Sequence, residues 1–163
     1  MPPTAKEMAD LLDEHLPYEI QMLFVIHDSV YPTHQLSPIQ LNVVLESFCI
    51  HARNLFEFFT RTESGKDNYA FAQAFVPKFD AFHDPKVRTR KDVLYRQICA
   101  QIFHLTFNRV KGSPDKFRTD HEVPEAKRLL ELEIKEFVNK LPFGHRQHWD
   151  VGVAKGGLSR WGF

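Results

Sequence analysis

The run from Ser37 to Arg61 constrains this chain more than any other stretch. Leu41, Val44, Leu45, Phe48, Ala52, Leu55, Phe56 and Phe59 recur at steps of three and four. At about 100° per residue they stay within a stripe roughly 120° wide, the pattern of a long amphipathic helix. Ser37-Pro-Ile-Gln40 supplies its start, with Ser at the N-cap, Pro at the first helical position and Gln three residues after the cap. A helix with such a face needs other helices to cover it, so the expected fold class is all-α, an antiparallel helical bundle of about four main helices plus short ones.

The rest of the chain supplies partners. Thr4-Ala-Lys-Glu7 is a second capping box and predicts a helix to about His15. Pro17 suits the first turn of another, carrying Ile20, Leu23, Phe24 and Ile26 to about Val30 and broken at Tyr31-Pro-Thr-His34. Glu63 to Asn68 reads as a loop, Tyr69 to Val76 as a short helix ended by Pro77, and the segment through Asp84-Pro85 as an irregular connection pinned by Phe79 and Phe82. Thr89 offers a cap for a helix to about Val110, stopped by Lys111-Gly-Ser-Pro-Asp115. Pro124 opens a last helix with Ala126, Leu129, Leu130, Ile134, Phe137 and Val138 on one face. The bundle is thus expected over 1–142. Residues 143–163, with five of the seven glycines and both tryptophans, read as an extended tail on the same domain.

Composition narrows the function classes. The 15 phenylalanines imply either an aromatic core or a covering partner, and a homodimer is the partner expected. With 21 basic and 21 acidic residues there is no global pull toward DNA or RNA, so nucleic-acid binding would need a local basic patch such as Lys86, Arg88, Arg90 and Lys91. Cys49 and Cys99 read as small buried hydrophobes. No apolar leader or membrane-length run is present, which predicts a cytoplasmic protein without a membrane partner. No nucleotide-binding loop, nucleophile elbow or zinc motif is found, and no cofactor is expected. His145 and His148, like Asp80, His83 and Asp84, have metal-compatible side chains but no third ligand fixed by sequence.

Polar residues flank the two long helices. On the first, Ser47, His51 and Asn54 lie on one side of the apolar stripe. Arg53 lies on the other, with Glu46 and Glu57; His51 and Arg53 diverge by about 160°. On the second, Gln97, Gln101, His104 and Asn108 make a continuous row beside Leu94, Ile98, Ile102 and Leu105. Each such group, once buried, costs roughly 1–3 kcal/mol if left unpaired. The simplest reading is a His/Asn/Gln network that fixes helix register, with Arg53 paired to Glu57 or Glu46.

Leu45-Glu-Ser-Phe-Cys-Ile-His-Ala-Arg-Asn-Leu55 and His104-Leu-Thr-Phe-Asn-Arg109 resemble the two motifs of a widespread family of bacterial proteins, itself without a settled function. Those proteins carry an L-E-S-F-x-x-H-A-R-N-L helix and an H-L-T-x-x-R helix end. At longer range the pattern is similar to the HEPN superfamily of four-helix bundles, many of them metal-independent ribonucleases of toxin or antiviral systems. The HEPN signature is an Arg with a polar neighbour and a His four to six residues on, paired across a dimer. His104 matches that His. Gln97, Ile98 and Cys99 stand where the Arg belongs, and Arg53-Asn54 is followed by Phe58, Phe59 and Thr60 rather than by a His. The resemblance therefore implies two classes. One is a non-catalytic binding bundle using Asn54, Arg53, Gln101 and Asn108. The other is an RNA-cleaving enzyme built on His104, Arg109 and His51, with His for proton transfer and Arg for developing charge.

Overall fold

The structure is a computed structural model and describes residues 3–30, 36–62, 69–103 and 120–163, with backbone alone for residues 30 and 101–103. The described chain is all-helical, with no strand among the described residues. Its helices are α1 (Ala5–Asp10), α2 (Leu16–Val30), α3 (Pro38–Thr60), α4 (Pro85–Phe103), α5 (Glu122–Lys140) and α6 (Phe143–Gly156). Among the described residues, no helix is long and apolar enough to cross a membrane.

Both expected capping boxes form. The Thr4 and Ser37 hydroxyls accept from the N–H of Glu7 and Gln40, whose side chains accept in return from the cap N–H groups. The break expected before Pro17 does not occur. Instead α1 passes into α2 through a π-helical turn, Leu11–His15, in which the Leu16 N–H reaches five residues back to the Leu11 carbonyl. The reason is local. Proline has no N–H to give the Asp13 carbonyl and its ring crowds that carbonyl in an α-helix, so the wider turn absorbs it.

A second departure depends on the first. Residues 143–156, expected to be extended, form α6, which lies across this π turn. A Cβ at Gly152 would stand 2.5 Å from the Leu12 carbonyl oxygen and 3.0 Å from that of Asp13. Those are the two carbonyls whose usual donors have been redirected or removed. Gly152 is therefore a helix-interior glycine required by backbone-to-backbone approach rather than a sign of irregular chain. Gly157, at φ +63°, ends the helix in the left-handed conformation and donates its N–H to the Val153 carbonyl.

α3 is the central element. It packs on α2, where Glu19 meets His51, and antiparallel on α4, where Tyr95 meets Glu57 and Cys99, one turn further on, lies near Arg53, one turn earlier. α4 begins earlier than Thr89: the Asp84 carboxylate accepts from the Lys86 and Val87 N–H groups, with Pro85 in the first turn. Residues 69–76 form no α-helix, only a 3₁₀ turn at Ala72–Ala74. The phenylalanines are mostly internal. Phe58, Phe59, Phe75 and Phe79 gather around Phe137 of α5, all four edge-on to it, with centroids 5.4–6.3 Å away. Such pairs add about 0.5–1.5 kcal/mol each beyond burial. Among the described residues the phenylalanines are thus mostly spent on the core, although Phe143 is 80% exposed.

Phe82, in the connection before α4, is buried at φ +53°, a conformation costly for a bulky residue. Its N–H donates to the carboxylate of Glu133 and its carbonyl accepts from Arg88 Nε. Glu133 sits inside the apolar stripe of α5 and is 6% exposed.

Candidate functional site

The polar residues flanking α3 separate as their angles require, each flank meeting a different helix. On the α2 side, His51 is buried and its Nδ1 lies 2.8 Å from Glu19 Oε2. Asn54 Nδ2 donates to the same oxygen at 3.2 Å. The Tyr18 ring stands edge-on to the imidazole at 5.8 Å. Among the described residues, the partner of His51 and Asn54 is Glu19.

On the α4 side, Arg53 Nε pairs with Glu57 Oε1 at 2.8 Å, as the sequence pattern implied. The Tyr95 hydroxyl donates to the same oxygen at 2.8 Å, and Arg61 Nη2 donates to Oε2 at 3.1 Å. Burial opposes ionisation of Glu57, but the Tyr95 hydroxyl and the two guanidiniums outweigh it and hold the carboxyl below its ordinary value. Burial first, and then the Glu57 carboxylate, push the Tyr95 phenol up to about 12. Nearby, burial together with Glu46 and Cys99 raises the Cys49 thiol, so it is a packed hydrophobe rather than a thiolate.

Gln97, the first member of the α4 polar row, is buried with Oε1 unpaired among the described residues. The side chain of Gln101, and His104, Asn108 and Arg109, lie outside the described residues. The basic cluster, which falls in the first turns of α4, is largely neutralised: Arg88 pairs with Asp80, Arg90 with Glu125 and Lys91 with Asp92. His148 meets Asp13 at 3.2 Å and His145 packs edge-on to Phe75. Among the described residues no three metal-binding side chains come together.

What the sequence reading did not identify is a cleft where α3 faces the π turn. It has a volume of about 230 Å³. Glu19, Asn54, Glu57, Arg61 and Tyr69 supply its polar wall, and Leu16, Leu55 and Phe58 its apolar floor. The Arg61 guanidinium lies 3.8 Å from the Tyr69 ring centre. A second cleft of about 280 Å³, sharing Leu11, His15, Tyr69 and Ala70, continues it toward Met8, Phe71 and Phe75. The only sequence signals for it were Pro17 inside a helical pattern and Glu19 between Leu16 and Ile20. π-helical turns are frequent at functional sites, and this one lines both clefts.

No family model, curated protein or solved structure matches the chain.

Proposed function

We propose that this protein is a non-catalytic binding bundle, HEPN-like in its helical plan, whose ligand site is the cleft between the π turn and the C-terminal half of α3. One observation carries this reading: His51, the described member of the His104, Arg109 and His51 set that an RNA-cleaving centre would draw on, is already held by Glu19 and buried. A general base needs access to its proton, and His51 is only 8% exposed. The cleft, by contrast, is open and mixes a few polar groups with an apolar floor, which is the usual make-up of a small-molecule site.

The test has two arms. Purified protein incubated with single-stranded RNA in a chelator is expected to leave it intact. Cleavage that His104→Ala or His51→Ala abolishes in a folded protein overturns the binding reading in favour of the ribonuclease one. In the second arm, a small-fragment screen by amide NMR should give hits that move Asn54, Arg61 and Tyr69 and that weaken in Arg61→Ala. Hits confined to other surfaces count against the cleft.

A further inference from the structure

We propose that the cleft takes a small organic ammonium, a protonated amine on a large apolar body, whose N–H donates to Glu19 Oε1. This rests on the binding reading above and specifies its ligand. Glu19 lines the cleft with only one of its two oxygens in use. Its side chain is 25% exposed, and both of its partners, the His51 imidazole and the Asn54 amide, meet Oε2. Among the described residues Oε1 accepts no hydrogen bond, and no Lys or Arg pairs with Glu19. A carboxylate largely withdrawn from water gains most from a charged N–H donor, whose bond is shorter and stronger than a neutral one. Arg61, the guanidinium in the same wall, already donates to Glu57 and lies over the Tyr69 ring, so it gives Glu19 no counter-charge. Among the described residues no three metal-binding side chains come together, and the surfaces beside Glu19 are apolar, so the cation called for is an organic one.

The surroundings set the rest of the ligand. Leu16, Leu55 and Phe58, all buried, floor the cleft that Glu19 lines. The adjoining cleft, which shares Tyr69 and Ala70, adds Met8, Phe71 and Phe75. Volumes of about 230 and 280 Å³ each fall below the roughly 300–1,000 Å³ typical of drug-sized ligands. An ammonium head in the first cleft with an alkyl or aryl body running into the second fits both, whereas a nucleotide is too large for either. The sign of the second wall agrees with a cation. Glu7 and Asp10 line it, with no Lys or Arg among its described residues.

The experiment is an amide NMR titration of the full chain with four ligands that share one apolar body: phenylbutylamine, phenylbutanol, phenylbutyrate and phenylbutyltrimethylammonium. The amine should move Asn54, Leu55 and Tyr69 and bind roughly tenfold more tightly than the alcohol or the carboxylate. The trimethylammonium, which keeps the charge without an N–H, should fall between them. Glu19→Gln keeps an acceptor for His51 and Asn54, and is expected to bring the amine down to the affinity of the alcohol while leaving the alcohol unchanged. A merely structural role for Glu19 would weaken both together and keep their ratio, which would overturn the assignment. If the alcohol binds wild type as tightly as the amine, the cation is wrong and the cleft still binds, a comparison that needs no variant. A trimethylammonium as tight as the amine would overturn the hydrogen bond to Oε1. If none of the four moves the cleft while fragments do, the ammonium again fails. If neither ligands nor fragments move it, both readings fall together.

Discussion

Glu57 and Glu133 are two carboxylates placed inside the same bundle with opposite consequences. Glu57 lies between α3 and α4 and receives Arg53, Arg61 and the Tyr95 hydroxyl. Glu133 lies inside the apolar stripe of α5 and receives the Phe82 N–H, with Oε2 unpaired among the described residues. Both are desolvated. The difference lies in the supply of donors: three, two of them charged, hold the first carboxyl below its ordinary value, whereas burial, with Glu136 adding to it, holds the second above. Burial alone therefore does not decide whether a buried acid supports or weakens a fold. Among the described residues Glu133 accepts from the N–H of Phe82, a bulky residue in the left-handed region.

Substitution at the two sites should give effects of opposite sign. Glu57→Ala is expected to be the most damaging, removing about 2–3 kcal/mol at neutral pH by taking away the carboxylate that Arg53, Arg61 and the Tyr95 hydroxyl share. Chemical denaturation measures this directly. Glu57→Gln should cost less, about 1–2 kcal/mol. Because the folded carboxyl is lowered, its contribution is present above the unfolded value of about 4.3 and is lost as pH falls through the folded one. The wild-type advantage over the Gln variant should accordingly shrink on acidification.

Glu133→Gln should stabilise the protein at neutral pH, by about 1 kcal/mol, because it removes a poorly solvated charge and keeps an acceptor for the Phe82 N–H. Here the folded carboxyl is raised, so the wild-type residue is least costly below its unfolded value and becomes a liability as pH rises through the folded one. The gain should therefore vanish in acid. A destabilised Glu133→Gln protein at neutral pH would break the contrast. The smallest effect belongs to Tyr95→Phe, about 0.5–1 kcal/mol for one hydrogen bond to a carboxylate that keeps its guanidiniums. A sharper readout is the ultraviolet titration of Tyr95, whose midpoint near 12 should fall in Glu57→Gln.

Much of the fold was legible because helix starts and apolar stripes are local properties. Ser37-Pro38 and Thr4 act as the caps their chemistry implies, and the α3 and α5 stripes are buried almost residue for residue. α6 was not legible because Gly152 inside it and Gly157 just after it have specific jobs, at the π-turn contact and at the left-handed cap, and composition reads both as loop. Counting Gly152 as an apolar position would have shown the helical spacing Trp149, Gly152, Val153. The candidate site was half legible. The divergence of His51 from Arg53, and the Arg53–Glu57 pair, follow from helix geometry. Glu19 and the cleft do not, because they depend on which helix comes to lie against α3. The registry expected between His51 and the His104 row lies partly outside the described residues.

The π turn also makes this region inheritable only as a set. Its extra residue sets α1 about 100° out of phase with α2 relative to an unbroken α-helix. A chain that lost one residue between Leu11 and His15 would rotate Met8 and Glu7 away from the second cleft, which they line, and would press the Pro17 ring onto the carbonyl four residues before it. It would also withdraw the two carbonyls that Gly152 approaches. The single-residue insertion, Pro17 and Gly152 therefore constitute one unit of descent: any relative lacking one of the three should lack the others.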